Sequence, residues 1–353
     1  MRKKIVGMLT TATLLTMALA GNVQAAEIRS VGPDGEAAVD ASTIELTDDQ
    51  IAQIKEGGYT AAICLHYGGN DWSTSQQKGL EDTFGELGIE IVAVTDANFS
   101  AETQVSNIET VMAKKPDILV SIPTDATATA DAYKQAAAAG IKIVFMDQRA
   151  NGLEAGKDYV SVVSADNYGN GYASGTVLGD ALGGKGKVAM VYYDANFAPT
   201  NQRDEGFRDA MKNYPDIEIV TEQGFTDESG CAEQGDAILT QFPNIDGIYA
   251  SWDVPMEGVL SAVRAAGMEG KVTLACNDLG NNVAREIASG NIAGGGAQMP
   301  YDQGVAEAKL AALALLGEET PSYVAVPAET VTHENVLEAY TAVSYTHLRA
   351  HET

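Results

Sequence analysis

Two separated stretches carry residue types that could hold a small polar molecule between them. His66-Tyr-Gly-Gly-Asn-Asp-Trp-Ser73 follows the apolar run Thr60–Leu65, and Ala297-Gln-Met-Pro-Tyr-Asp-Gln-Gly304 ends the apolar run 292–297. Each sets hydrogen-bonding side chains, and the first also an indole, where a strand should give way to a helix. In open α/β sheets ligands bind beyond the carboxyl ends of the strands, at such points. Amides reach hydroxyl groups and an indole covers a C–H face, so the combination suits a polar ligand with flat apolar sides, such as a sugar.

Other chemistries find less support. There is no Gly-x-Ser-x-Gly elbow, no His-Glu-x-x-His and no P-loop. Gly169-Asn-Gly-Tyr-Ala-Ser-Gly175 is off by one from a dinucleotide loop and reads as a Gly/Ala-rich helix packed closely on its sheet. His66 and His333 have no partner at catalytic spacing. Cleft carboxylates could serve glycoside hydrolysis, but the same groups are explained as hydroxyl acceptors. Three cysteines are too few for a disulfide framework. Cys64 and Cys276 lie in apolar runs and read as buried small hydrophobes. Cys231 lies in a polar helix start and reads as a free thiol. No catalytic residue, metal or cofactor is expected.

The elements that must position these groups alternate. Strands are expected at 61–65, 90–94, 117–122, 142–146, 160–163, 187–192, 217–220, 247–250, 271–276 and 292–297. Amphipathic helical patterns fall between them at 73–87, 103–114, 126–139, 201–212, 254–266, 282–289 and 303–316. Strict alternation implies parallel sheets built by right-handed crossovers. Some ten such units exceed one ordinary sheet, so two α/β domains are expected. Residues 26–58 form an acidic, weakly periodic leader with a short helix at 47–55 opened by Thr47-Asp-Asp-Gln50.

The first 25 residues read as a secretory signal. Arg2, Lys3 and Lys4 precede a Thr-diluted apolar stretch at 5–20, and Val23-Gln24-Ala25 offers small residues for cleavage after Ala25. Asn22 stands where a lipoprotein would carry its lipidated Cys, so a soluble exported protein is expected. The 353-residue chain has a formal charge of −27, and losing the three basic residues takes it lower still. Such a surface argues against nucleic acid and anionic membranes as partners. At the other end, Val343-Ser-Tyr-Thr-His-Leu-Arg-Ala-His-Glu-Thr353 has no helical or strand period and resembles a sequencing adapter read as coding sequence. The expectation is that 343–353 replaces the true C-terminus, and no metal site is drawn from His347 and His351.

Several short motifs, weak singly, are specific in their order and spacing. They are Gln76–Gly79, Lys115-Pro-Asp117, Ile122-Pro-Thr-Asp125, Met146-Asp147, Ala165-Asp-Asn167, Arg203-Asp-Glu-Gly-Phe207, Phe242-Pro243, Asn277-Asp278 and Ala297-Gln-Met-Pro300. From about 59 to 340 the chain resembles periplasmic sugar-binding proteins of the ribose-binding type, the soluble receptors of ABC importers with the type I periplasmic binding protein fold. The resemblance implies two Rossmann-like α/β lobes with parallel sheets, joined by a three-crossing hinge, with ligand between them. The crossings are expected near 164–167, 298–300 and 326–328. The N-lobe would be 59–165 plus 299–327, and the C-lobe 166–298 plus 328–340.

Carried over position by position, the resemblance implies a ligand set of Asn70, Trp72, Asp147, Gln148, Arg149, Asn201, Arg203, Trp252, Asp278 and Gln298. Trp72 would stack on a sugar face, worth roughly 0.5–1.5 kcal/mol beyond area burial. Asn70 is a nearby polar candidate or a turn residue. Asp147 and Asp278 would accept hydroxyl hydrogen bonds. The family's Arg after the first of these is Gln148 here, so either Gln148 replaces the guanidinium or a local shift brings in Arg149. Asn201 stands where a ligand Arg is usual and could instead cap a helix. Arg203 contacts ligand or braces the Asp204-Glu205 turn. Trp252 replaces an Asn with an aromatic wall, and Gln298 lies at a hinge crossing. The departures point away from ribose and toward another neutral sugar or polyol.

The sequence therefore predicts an exported, monomeric solute-binding protein that hands a sugar or polyol to a membrane ABC permease. A secreted glycan-processing enzyme on a similar scaffold, and a receptor presenting a sugar or signal to a membrane sensor, are the alternatives. Because the cleft carboxylates lie outside either lobe's core, their removal is expected to spare the fold.

Overall fold

Apolar runs without a polar face need cover on both sides, and parallel sheets flanked by helices provide it. In the computed structural model, which describes residues 27–344, the chain runs β1 (Val39–Asp40), α1 (Asp48–Gly57), β2 (Thr60–Leu65), α2 (Asp71–Leu87), β3 (Glu90–Asp96), α3 (Ala101–Ala113), β4 (Ile118–Ser121), α4 (Ala130–Ala138), β5 (Lys142–Met146) and β6 (Ser161–Ala165). It continues through α5 (Asn167–Ala181), β7 (Lys185–Tyr193), α6 (Ala198–Met211), β8 (Asp216–Phe225), α7 (Cys231–Gln241), β9 (Gly247–Ala250), α8 (Asp253–Ala265), β10 (Thr273–Cys276), α9 (Asn281–Ala288) and β11 (Gly294–Ala297). It ends with α10 (Pro300–Leu315), β12 (Tyr323–Val326), β13 (Glu329–Thr332) and α11 (Val336–Ser344). The signal-peptide expectation lies outside the described residues, as does the tail from residue 345 onward.

Two sheets result. The first has seven parallel strands in the order β1-β12-β6-β5-β4-β2-β3. The second has six, in the order β13-β11-β10-β9-β7-β8, parallel except for β13, which runs antiparallel on β11. The chain passes between the sheets after β6, after β11 and after β12. Each sheet has its own core: Ile63, Leu80, Phe84, Val120 and Val144 belong to the first lobe, and Ile248, Val259, Leu274 and Val283 to the second. This is the two-lobed α/β architecture that the alternation of runs predicts.

The residues read as a leader prove integral to the first lobe. β1 extends its sheet beside β12, and Ile44 and Ile54 are buried in its core. α1 opens with a full capping box, in which the Thr47 hydroxyl accepts the Gln50 amide and the Gln50 side chain accepts the Thr47 amide. Upstream, the Asp166 carboxylate at the first crossing accepts the Arg29 and Ser30 amides at 3.0 and 2.8 Å, and the Arg29 guanidinium lies 3.9 Å over the Tyr172 ring in the second lobe. Backbone and single side chains make these contacts, which is why the segment shows no periodicity.

Two further expectations change. β8 continues through polar residues to Phe225, because an edge strand needs no apolar cover on both faces. Cys231 is a free cysteine, as expected, and lies buried in the second core, where burial pushes its thiol up to about 12. The tail boundary moves as well: α11 runs to Ser344, and Val343 is buried in the second core.

Candidate functional site

The carboxyl ends of β2, β3, β4 and β5 face those of β7, β9, β10 and β11 across a cleft lined by side chains of both lobes. Asp147 follows β5 directly and Asp278 lies two residues beyond β10, so each lobe contributes one carboxylate. Both adopt left-handed backbone conformations, with φ of 53° and 68°. Such conformations are uncommon away from glycine and collect at ligand sites.

Asp147 is held from one side. Ser164 Oγ (2.9 Å), Ala165 N (3.2 Å), Asn167 Nδ2 (3.3 Å) and Gln303 Nε2 (3.4 Å) all donate to its Oδ1, which leaves Oδ2 for the cleft. Burial raises its pKa above the ordinary carboxylate value, against the pull of Arg203 and these donors.

Asp278 belongs to a chain of contacts that crosses the cleft. Arg203 Nη1 donates to Asp278 Oδ2 at 3.1 Å, Gln298 Nε2 donates to Asp278 Oδ1 at 2.7 Å, and Trp72 Nε1 donates to Gln298 Oε1 at 3.2 Å. Arg203 is itself fixed, donating to Asn167 Oδ1 at 2.9 Å and to the Ser251 carbonyl at 3.2 Å. The close packing of α5 on α6 sets its position. A Cβ on Gly171 would stand 1.8 Å from the Arg203 carbonyl oxygen, so only glycine allows the two helices this close. Burial works against the guanidinium's charge, but Asp278 and Asp147 hold its pKa above the ordinary value. Asp253, beside Asp278, is driven upward by burial and by that neighbour's charge, while its oxygens accept the Val254 and Gly280 amides.

Aromatic rings form the walls. His66, Tyr67, Trp72 and Phe99 come from the first lobe, and Tyr193, Phe197 and Trp252 from the second. His66 stacks on Phe197 across the cleft, with centroids 5.5 Å apart, and meets the edges of Tyr67, Trp72 and Phe99. Fully enclosed, it is held neutral, its pKa pushed down by burial to about 3. Trp252 donates through Nε1 to Glu228 at 2.9 Å and turns its ring to Tyr193.

Of the ten residues in the implied ligand set, Trp72, Asp147, Arg203, Trp252, Asp278 and Gln298 line this one cleft. The other four do not. Asn70 caps α2, accepting the Ser73 amide at 2.8 Å and donating to the Tyr67 hydroxyl, so it supports a wall instead of forming one. Gln148 is buried between the lobes, donating to the Pro123 carbonyl and accepting the Ala198 amide. Arg149 turns away and forms a two-pronged ion pair with Asp34, both contacts 2.7 Å. Asn201 is exposed on α6, whose cap is Phe197, so it does not cap the helix and does not line this cleft. Sequence reasoning missed Tyr67, Phe99, Tyr193 and Phe197 as walls. Their signal was position: each lies at or within a few residues of the carboxyl end of a strand.

The arrangement can fix a small molecule. Its guanidinium is committed to Asp278, its histidine is neutral and enclosed, and among the described residues no cluster of three His, Cys, Asp or Glu could hold a metal.

Comparison with known proteins agrees with this geometry. Residues 61–319 match a family described as a periplasmic binding protein domain. The chain is 29% identical over 273 residues to the D-ribose/D-allose-binding protein of Pseudomonas aeruginosa, covering 74% of this chain and 83% of that one. It is 27% identical over 213 residues to the ribose import binding protein of Bacillus subtilis, covering 60% of this chain and 67% of that one. An ABC transporter periplasmic solute binding protein of Actinobacillus succinogenes, solved with bound D-allose, superposes with a TM-score of 0.73 at 29% identity, over 79% of this chain and 99% of that one.

Proposed function

Since the chain belongs to the periplasmic binding protein domain family, we propose that it is an exported receptor that captures a neutral sugar or polyol in the interlobe cleft and delivers it to an ABC permease. The contact chain Arg203–Asp278–Gln298–Trp72 carries this reading, because it sets hydroxyl acceptors and an indole side by side between two lobes. Asp147 Oδ2 and Asp278 accept ligand hydroxyls, Gln298 fixes orientation, and Trp72, Trp252 and Phe197 cover the C–H faces. Neutrality of the ligand follows from Arg203: its charge is already matched by Asp278, so a sugar acid would lack a counter-ion.

The lobes are assigned as 27–165 plus 299–327 and 166–298 plus 328–344, and closure about the three crossings traps the ligand. Export rests on the signal sequence, and no helix among the described residues is long and apolar enough to cross a membrane. The protein acts as a monomer and turns over nothing. A thermal-shift screen against pentoses, hexoses, polyols and cyclitols tests this. A ligand at 100 times its Kd adds about 2.7 kcal/mol of stability. Silence across the panel, or turnover of any bound sugar, removes the proposal.

A further inference from the structure

A row of buried polar side chains leads from Asp147 into the first lobe, between α2 and α10. Gln303 donates from Nε2 to Asp147 Oδ1 at 3.4 Å. Glu307 lies one turn further along the same face of α10 and accepts Gln76 Nε2, from α2, at 2.6 Å. Gln76, Gln303 and Glu307 are fully buried. The helices pack tightly here: a Cβ on Gly304 would stand 2.3 Å from the Gln76 carbonyl oxygen.

Hydrogen-bond accounting leaves three oxygens in this row without a donor: Gln76 Oε1, Gln303 Oε1 and Glu307 Oε2. Buried polar atoms are nearly always paired, so three orphan acceptors in one row call for a missing donor. An ionised Glu307 would supply none. Of the ionisable residues that α2 presents, Asp71, Lys78, Glu81 and Glu86 are exposed, and the half-buried Asp82 pairs with Lys78 and accepts the Tyr301 hydroxyl at 3.0 Å; the charge that acts on Glu307 is that of Asp147, a like charge. A proton on Oε2 removes the conflict. It turns one orphan acceptor into a donor and satisfies a second orphan on the same helix face.

We propose that Glu307 is a neutral carboxylic acid whose Oε2–H donates to Gln303 Oε1, orienting the Gln303 amide toward Asp147 Oδ1 and so positioning Asp147 Oδ2 for the ligand. Glu307 is thus a positioning residue that acts through Gln303. The second half of the inference rests on the reading of Asp147 as a hydroxyl acceptor. Burial raises the Glu307 pKa well above the ordinary carboxyl value; the Gln76 hydrogen bond opposes the rise and the Asp147 charge adds to it.

Infrared difference spectroscopy at pH 8, far above the ordinary Glu value of about 4.3, tests the protonation state. The wild type minus Glu307→Gln spectrum should contain the carbonyl stretch of a protonated acid. Carboxylate bands in its place overturn the proposal. The positioning role is read by calorimetry with the sugar that stabilises the protein most in the screen. Glu307→Gln keeps a donor at this position and should bind within about twofold of wild type, whereas Gln303→Met should weaken binding roughly 2- to 10-fold, the range for one net hydrogen bond. Unchanged affinity in Gln303→Met overturns the positioning role. If no sugar binds the wild type, the proposed function fails, but the infrared band still decides the state of Glu307.

Discussion

Gln148, on the first lobe, accepts the amide N–H of Ala198, on the second, at 3.0 Å. Its own amide donates to the Pro123 carbonyl at 2.8 Å, so the side chain is a strut anchored at both ends. A second tie lies on the other flank of the cleft, where Asp71 Oδ2 accepts the Asn281 amide at the start of α9 at 2.7 Å. These contacts hold the lobes together without touching the space between the aromatic walls.

Removing the strut should therefore weaken binding without altering what the cleft recognises. Gln148→Ala should raise Kd roughly 2- to 10-fold for every ligand alike, because the closed state becomes less populated. Calorimetric titration with two bound sugars checks this. A change in their ratio would place Gln148 against the ligand after all.

The two carboxylates should behave differently on replacement, which revises the expectation that the fold is indifferent to both. Asp278 pairs with Arg203, and the two side chains are only 10% and 5% exposed. Asp278→Ala should destabilise the protein by about 3–5 kcal/mol, the range for breaking a buried pair, besides abolishing tight binding. Asp147→Asn keeps an acceptor for the four donors on Oδ1 and tolerates the left-handed backbone, so its melting temperature should hold while Kd rises roughly 5- to 30-fold. Scanning calorimetry and titration of both variants separate the cases.

Trp72 contributes a ring and an N–H, and two substitutions resolve them. Trp72→Phe keeps an aromatic surface but frees Gln298 Oε1, and should cost roughly 2- to 10-fold in Kd. Trp72→Ala loses stacking and area as well and should cost about 2–5 kcal/mol of binding. Equal affinities for the two variants would assign the whole effect to the Gln298 contact.

His66 makes stability depend on pH in a defined direction. Its folded pKa is pushed down to about 3, below the unfolded value near 6.5, so the unfolded chain takes up a proton first as pH falls. The His66 contribution is complete above about pH 6.5 and shrinks toward pH 3, by about 2 kcal/mol at pH 5 relative to pH 7. Urea denaturation of wild type and His66→Gln at the two pH values tests this: the difference between the proteins should narrow at pH 5 by that amount.

The C-terminal boundary can be tested by truncation. Ending the chain after Ser344 should leave melting temperature and binding unchanged. Ending it after Ala342 removes Val343, which is buried in the second core and whose carbonyl accepts the Ser75 hydroxyl at 3.2 Å, and should cost about 1–3 kcal/mol. Equal stability of the two truncations would mean that Val343 contributes nothing.

The alternation of apolar runs with amphipathic stretches is enough to predict two parallel α/β units, because strands buried on both faces, such as Ile118–Ser121 and Gly247–Ala250, are signalled by short apolar runs between helical patterns. β12 and β13 escaped because Pro327 separates two short runs that belong to different sheets. Within the site, residues one or two places from a strand end, such as Asp147, Trp252, Asp278 and Gln298, are legible because the strand fixes where they point. Gln148, although also two places beyond a strand, and Arg149 are not, because the positive φ of Asp147 turns the chain just before them and redirects their side chains. Tyr193 and Phe197 carry no motif; only the meeting of two lobes, which no local pattern encodes, gives them a common purpose.

The segment that ties Arg29 and Ser30 to Asp166 while β1 stays zipped to β12 bears on mechanics. A bare crossing turns on a few backbone torsions. Here the first crossing carries a second strand fastened on both sides of the pivot, so bending must stretch or release those fastenings. Resistance to bending at this crossing is thus shared by a segment that lies outside the cleft.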